Sequence, residues 1–140
     1  MEKKDLKPAG VFKYFEEICQ VPRPSKKEEK MIAYLKTFGA KHNLETKVDE
    51  AGNVLIKKPA TPGKENLQTV VLQSHIDMVC EKNNDVQHDF LTDPIETEID
   101  GEWLKAKGTT LGADNGIGVA TELAILADDS IEHGPLECLF

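Results

Sequence analysis

Two stretches near the start of the chain place apolar residues at the spacing of one helical face. In the first stretch these residues are Val11, Phe12, Phe15, Ile18 and Cys19. Pro8 suits the first turn of a helix and Pro22 ends one, which predicts a helix over residues 8–20. In the second stretch the apolar residues are Met31, Ile32, Leu35 and Phe38. Ser25 and Glu28 form a capping box before them, which predicts a second helix over residues 25–42.

Alternating apolar and polar positions predict two β-hairpins. The strands of the first hairpin contain Leu44, Thr46 and Val48 before a Gly52–Asn53 turn, and Val54 and Ile56 after it. The second hairpin runs from residue 95 to residue 104 around a tight primed turn at Asp100–Gly101. Residues 59–66 are predicted to be an exposed loop, and residues 81–94, which are polar and follow neither period, an irregular excursion.

The remaining apolar segments complete the prediction of an α/β fold. The apolar run Val70–Leu72 indicates a buried strand, and residues 136–140 indicate another. A helix is predicted over residues 116–127. Together these elements predict a mixed sheet flanked by helices, with the helix over 116–127 packed against the edge that carries the reactive residues. The length of 140 residues suits one ordinary domain or a part of a larger one.

The charge balance of the chain argues against two classes of partner. It has 17 basic and 25 acidic residues, a net charge of −8 and a pI near 5.0, so nucleic acid and anionic membranes would repel it. The first ten residues lack the apolar stretch of a secretory signal, and no run approaches the roughly 20 apolar residues of a membrane span. We therefore expect a soluble cytoplasmic protein. Cys19, Cys80 and Cys138 form no CxxC pair and are expected to be free thiols.

The candidate chemistry lies in two segments, VLQSHIDMVCEK at 71–82 and GTTLGADNGIGVA at 108–120. His75 and Asp77 are two residues apart, so on a strand they would share one face. A carboxylate beside a ligating imidazole fixes its tautomer and strengthens its donation to a metal. Asp114 adds an anionic oxygen from a segment whose glycines allow close backbone approach. These residue types predict part of a zinc hydrolase site, with His75 and Asp114 as metal ligands and Asp77 supporting His75.

Each of these three residues also has a simpler interpretation. An isolated histidine such as His75 is more often a residue of the core or of a sheet edge than a metal ligand. Asp77 could cap a turn after a strand, and Asp114 could cap the helix that follows it. The occurrence of all three together favours the metal site. The glycines around Asp114 fit neither GxGxxG nor the phosphate loop that ends in Gly-Lys-Ser/Thr, which disfavours phosphate binding.

Cys80 is the alternative candidate for a nucleophile. It lies an odd number of residues from His75, so on a continued strand it would point to the opposite face. We expect it to be a small buried residue instead. The other histidines are expected on the surface, and His88, next to Asp89, is the one of them that deserves inspection: His42, His88 and His133.

Four blocks of the sequence resemble the cocatalytic zinc metallopeptidases, a family that includes aminoacylases, carboxypeptidase-like enzymes and several dipeptidases. They are VFKYFEEICQVPRPS at 11–25, the block around SHIDMVCEKN, HDFLTDPIE, and GEWLKAKGTTLGADNGIGVA at 101–120. The blocks span nearly the whole chain and are most similar to dipeptidases that act on Xaa-His substrates. The resemblance implies a zinc-peptidase-like catalytic domain that hydrolyses dipeptides.

The resemblance also implies roles for individual residues. His75 would bind one zinc ion, Asp77 would support that ligand, and Asp114 would bridge two zinc ions, with manganese or cobalt as alternative metals. The peptide bond between Asp114 and Asn115 would be cis. In the family an adjacent Glu-Glu pair follows the strand that here begins near Leu136, and one of its glutamates is the general base. The 140 residues end before such a pair, so we expect an N-terminal portion of the catalytic domain that is inactive alone.

Three alternatives to Xaa-His hydrolysis stay open. Tripeptidase or deacylase activity is possible within the same family, because parts outside these 140 residues would shape the substrate pocket. A noncatalytic domain that keeps the scaffold and binds a partner is the alternative from another class. Whichever of these activities applies, the resemblance allows the full-length protein to form a homodimer.

Overall fold

The computed structural model describes residues 2–140 and has the predicted α/β architecture. Within that range the helices are α1 (Ala9–Cys19), α2 (Glu29–Lys41) and α3 (Ala113–Ala127), after a short 3₁₀ turn at Lys3–Asp5. The strands are β1 (Glu45–Val48), β2 (Val54–Lys58), β3 (Val70–Gln73), β4 (Thr97–Asp100), β5 (Trp103–Ala106) and β6 (Leu136–Leu139). The described residues include no helix of the length and apolarity that a membrane crossing requires.

Four strands form a mixed sheet in the order β1-β2-β6-β3. The β1–β2 and β2–β6 pairs are antiparallel, and the β6–β3 pair is parallel. Ile56 lies opposite Thr46 on one neighbour and Cys138 on the other, so these three side chains share a face. Helix α2 approaches that face at Thr46, and helix α3 approaches it at Cys138. The predicted mixed sheet with helices is therefore confirmed.

The hydrophobic core lies between this face and the three helices. Helix α1 packs along α3, and both contribute side chains that are almost fully buried. The most deeply buried apolar residues are Phe15, Ile18, Met31, Leu35, Val54, Ile56, Val119, Leu123, Leu126 and Cys138. Apart from Phe12, the apolar residues that predicted α1 and α2 belong to this core or pack against it. All three cysteines are free thiols, as predicted.

The predicted hairpin around residue 100 forms a separate two-stranded sheet of β4 and β5. Asp100 pairs with Trp103, so the two-residue turn is Gly101–Glu102, one position later than predicted. Gly101 has a φ of 61°, which a residue with a side chain adopts reluctantly. Residues 59–66 and 81–94 form no strand or helix, as predicted.

The prediction that Val70–Leu72 is a buried strand was wrong about burial. Val70 and Val71 are 50% and 57% exposed. The strand β3 is the last in the sheet order and pairs only with β6 among the strands of residues 2–140. An apolar run predicts a strand, but it does not specify how many neighbours the strand has.

The capping box predicted at the start of α2 was also wrong. The helix begins at Glu29, four residues later than expected, because Lys26 has a φ of 67° and interrupts the helical backbone. The side chain of Glu28 accepts a hydrogen bond from the Lys26 N–H at 2.6 Å. Ser25, the predicted cap, donates its hydroxyl to Asp77 instead.

Candidate metal centre

The segment after β3 carries His75 and Asp77 away from the sheet. The strand ends at Gln73, so the prediction that both residues share one face of a strand was wrong. Their side chains meet nevertheless, with Nδ1 of His75 3.0 Å from Oδ1 of Asp77. The segment is anchored to residues 23–25, because the N–H of Met78 donates to the carbonyl of Arg23 at 3.0 Å.

Asp114 lies at the start of α3, where the backbone has not yet become helical. The side chain of Asn115, and not that of Asp114, accepts a hydrogen bond from the Gly118 N–H at 3.1 Å, which is the contact of a helix cap. The carboxyl side chain of Asp114 is left 99% exposed. The Asp114–Asn115 peptide bond is cis, which confirms the expectation from the resemblance.

The structure brings His75 and Asp114 together from positions 39 residues apart. Nε2 of His75 lies 3.1 Å from Oδ1 of Asp114. Zinc lies about 2.0–2.2 Å from nitrogen and oxygen ligands, so two ligands at a tetrahedral angle are about 3.3 Å apart. The observed separation therefore fits two ligands of one cation. No group of three or more potential ligand side chains occurs within the described residues, so they offer a partial set.

The contact between His75 and Asp77 orients the ring so that its other nitrogen, Nε2, faces Asp114. When the imidazole is neutral and Nδ1–H donates to Asp77, the lone pair of Nε2 points toward Asp114. Burial alone would lower the pKa of His75, but the hydrogen bonds with Asp114 and Asp77 outweigh it and raise the pKa. The pKa of Asp77 is lowered, first by the Ser25 hydroxyl and then by His75. Asp77 is therefore a carboxylate at neutral pH.

Two residues near the site were missed by the sequence analysis. Ser25 orients Asp77 through its hydroxyl, and Arg23 lies buried beneath the segments that carry His75 and Asp114. Ser25 was assigned to a helix cap because the capping-box pattern is local and frequent. Among residues 2–140 the side chain of Arg23 donates hydrogen bonds only to backbone carbonyls, and such bonds leave no pattern in the sequence.

A cleft of about 260 Å³ opens beside the pair and includes His75 and Asp77 in its wall. Its other walls come from the β1–β2 turn at Asn53, from Gln73 and from Phe140. A small polar ligand in this cleft would lie against the imidazole.

Almost the whole of this chain matches part of the sequence of a dipeptidase. It is 52% identical over 138 residues to the cytosol non-specific dipeptidase of Escherichia coli (strain K12), covering 99% of this chain. The chain is homologous to this dipeptidase. Among solved structures it is similar to the aminoacylhistidine dipeptidase of Vibrio alginolyticus, with 55% identity over 99% of this chain and a TM-score of 0.95. The resemblance to the dipeptidases that the motif blocks predicted is therefore confirmed.

The comparisons also limit what the homology covers. The chain spans 28% of the length of each dipeptidase. A tripeptidase from Staphylococcus aureus and an aminopeptidase from Bacillus cereus, each 22% identical over 93% of this chain, have TM-scores of 0.73 and 0.75 and share its fold. The chain covers 35% of each of those two proteins. No family model matches the sequence.

The structure gives little support to the other candidate sites. Cys80 is partly buried, and burial raises the pKa of its thiol, which reduces the fraction of reactive thiolate. The ring of His88 packs against Phe90 with centroids 4.4 Å apart. A phosphate in the glycine-rich segment would face the exposed carboxyl group of Asp114, which would repel it.

Proposed function

We propose that the full-length protein hydrolyses dipeptides at a site with two zinc ions, to which this chain contributes His75 and Asp114. The observation that supports the proposal is the 3.1 Å approach of Nε2 of His75 to Oδ1 of Asp114 from distant parts of the chain. Homology to two dipeptidases gives the reaction class independently of that distance.

The residues of this chain prepare the metal ligands. Asp77 accepts a hydrogen bond from Nδ1–H of His75, which leaves the Nε2 lone pair for the metal, and the Ser25 hydroxyl holds Asp77 in place. Asp114 presents an exposed carboxylate, and its two oxygens would hold the two cations. Zinc bound there would polarise the peptide carbonyl and make water more acidic. Manganese and cobalt accept the same donor atoms and are the alternative metals.

Dipeptides, with Xaa-His among them, are the proposed substrates. The E. coli relative is named a non-specific dipeptidase and the Vibrio relative an aminoacylhistidine dipeptidase, so the names agree on the dipeptide and differ on its side chains. We propose the cytosol as the location, because the E. coli relative carries that word in its name. Tripeptides and acyl amino acids are the competing substrates.

The test uses the full-length protein with a panel of dipeptides, tripeptides and acyl amino acids. We expect dipeptide hydrolysis that a chelator abolishes and that His75→Ala and Asp114→Asn each reduce by orders of magnitude, with loss of bound zinc by elemental analysis. Asp85→Asn removes an exposed carboxylate elsewhere and is the matched control. Full activity of both site variants, or of the chelated protein, would contradict the proposal.

The 140-residue chain alone is expected to bind zinc weakly and to show no turnover. Catalytic zinc sites use about three protein ligands, and the pair found here supplies two. Calorimetric titration of the purified chain with zinc measures the affinity. Hydrolysis of a histidine-containing dipeptide by this chain would refute the expectation.

A further inference from the structure

Arg23 is the only arginine in a chain whose 17 basic residues are otherwise lysines, and it is 2% exposed. Its guanidinium group lies below the candidate metal centre and contacts two segments at once. Nη1 donates to the carbonyls of Ile76 and Asp77, at 3.1 and 3.4 Å. Nη2 donates to the carbonyl of Gly112 at 2.8 Å. The first segment, residues 75–81, carries His75, and the second segment, residues 110–114, carries Asp114.

The guanidinium has no carboxylate partner within ion-pair distance among residues 2–140, so carbonyl dipoles hold the buried charge. Burial lowers the pKa of Arg23, and the nearby charge of Asp77 acts in the opposite direction. A buried charge of this kind stabilises a fold less than an apolar side chain of the same volume does. Packing alone therefore does not account for an arginine here.

Two glycines, which have no side chain, make room for the guanidinium group of Arg23. A Cβ atom added at Gly112 or at Gly116 would lie 2.7 Å from Nη2 of Arg23, which is closer than such atoms approach. The backbone also holds Arg23 against the first segment, through the Met78 N–H to Arg23 carbonyl bond at 3.0 Å. Thr110 joins the two segments further away, by contacts to residues 79 and 81. Arg23 provides the link that lies nearest both candidate ligands.

We propose that Arg23 is a positioning residue that sets the separation of His75 and Asp114 by tying together the backbone segments that carry them. The proposal rests on the proposed function, in which these two residues bind metal. The two terminal nitrogens of the rigid guanidinium fork bond different segments and so fix the distance between them, whereas a lysine ammonium is a point charge on a flexible stem. Lysine at this position would keep the charge and lose the fixed separation.

The test compares Arg23→Lys and Arg23→Met in the full-length protein, well below the unfolding temperature of each variant. We expect both to lower zinc affinity by about tenfold to a hundredfold, the loss typical of residues that orient metal ligands. The visible spectrum of the cobalt-loaded protein should change, which reports an altered coordination geometry. Crystal structures of the metal-free variants should show His75 and Asp114 further apart. Wild-type affinity and separation in Arg23→Lys would overturn the proposal.

A second variant tests the link without changing Arg23. Gly116→Ala introduces a methyl group against Nη2 of Arg23 and should lower zinc affinity, although alanine favours a helix. Gly10→Ala adds a methyl group in α1 with its nearest neighbour at 3.6 Å and is the matched control, which should bind zinc like the wild type. Equal affinities for these two variants would also count against the proposal.

The failure of the proposed function would look different. If the wild-type protein bound no metal at this site, that function would be wrong, while the metal-free crystal structures would still decide whether Arg23 sets the separation. An unchanged separation in both Arg23 variants would refute the positioning role in either case.

Discussion

Glu122 is a buried acid with no basic partner within the described part of the chain, and its protonation should control the stability of the chain. Its side chain points from α3 to the sheet, where the residue is 4% exposed. Within the described residues, Oε2 of Glu122 and Oγ of Ser74 have no hydrogen-bond partner. Burial raises the pKa of Glu122 from its ordinary value of 4.5 to about 7, although polar contact with Ser74 and Cys138 acts in the opposite direction.

The direction of the pH effect follows from this raised pKa. Between pH 4.5 and about 7 the folded chain binds the Glu122 proton more tightly than the unfolded chain does. The contribution of Glu122 to stability is therefore complete below pH 4.5 and is lost as the pH rises to about 7. At about 1.4 kcal/mol for each pKa unit, the loss amounts to about 3 kcal/mol. Glutamine resembles the protonated acid and should remove this loss.

The assay is urea denaturation of the 140-residue chain and its Glu122→Gln variant at pH 5 and pH 8. We expect only a small difference in the free energy of unfolding at pH 5, where the loss has begun, and at pH 8 a variant that is more stable by about 3 kcal/mol. Comparing the two proteins at each pH cancels the contributions of the histidines. Glu102→Gln, at an exposed turn position, is the matched control and should give no such difference. A Glu122→Gln variant that gains nothing between pH 5 and pH 8 would refute the reasoning.

Three further substitutions test separate contacts. Lys58→Met should lower the free energy of unfolding by about 2 kcal/mol in urea denaturation. The Lys58 side chain is only 9% exposed, and its ammonium donates to two carbonyls at the end of α3, at 2.9 and 3.5 Å. Gly39→Ala should destabilise by about 1–3 kcal/mol in the same assay, because the new methyl group would overlap Oγ1 of Thr46. Ser25→Ala should raise the pKa of Asp77, measured by carboxyl carbon NMR titration, because the Ser25 hydroxyl is the main cause of its lowering.

Each of these variants has a control. Lys57→Met removes a half-exposed ammonium that pairs with Glu137 at 3.2 Å, and should change stability little. Gly10→Ala places its methyl group at ordinary contact distance from Ala124 and should not destabilise the chain. Ser25→Thr keeps the hydroxyl and should keep the pKa of the neighbouring carboxyl low. A variant that behaves like its control contradicts the contact assigned to it.

Local patterns predicted the elements of this fold better than they predicted the elements' surroundings. The spacing of apolar residues located α1 to within a residue at each end, because one face of that helix packs on the core. The same kind of evidence gave the wrong burial for Val70 and Val71, since burial depends on neighbouring strands that a local run does not report. Ser25 had the sequence of a helix cap, yet its hydroxyl binds a carboxylate 52 residues away.

For the candidate site too, the sequence predicted the residue types but not the contacts that depend on packing between distant segments. Ligand chemistry in the sequence selected His75, Asp77 and Asp114, and the resemblance to a peptidase family supplied their expected roles. The structure added the 3.1 Å approach between His75 and Asp114, which depends on the way α3 packs and on the backbone before it. Arg23 could not be predicted, because its partners are main-chain oxygens that every residue possesses.

Strand β3, at one end of the four-stranded sheet, affects whether the chain self-associates in solution. No strand covers its outer side among residues 2–140, so its backbone N–H and C=O groups on that side are available to another molecule, beside the apolar side chains of Val70 and Val71. Two copies could align their β3 strands and extend one sheet into the next, which leads to precipitation at high concentration. We expect Val71→Lys to keep the chain monomeric in sedimentation experiments at concentrations where the unmodified chain self-associates, because a charge on an outer strand opposes such pairing.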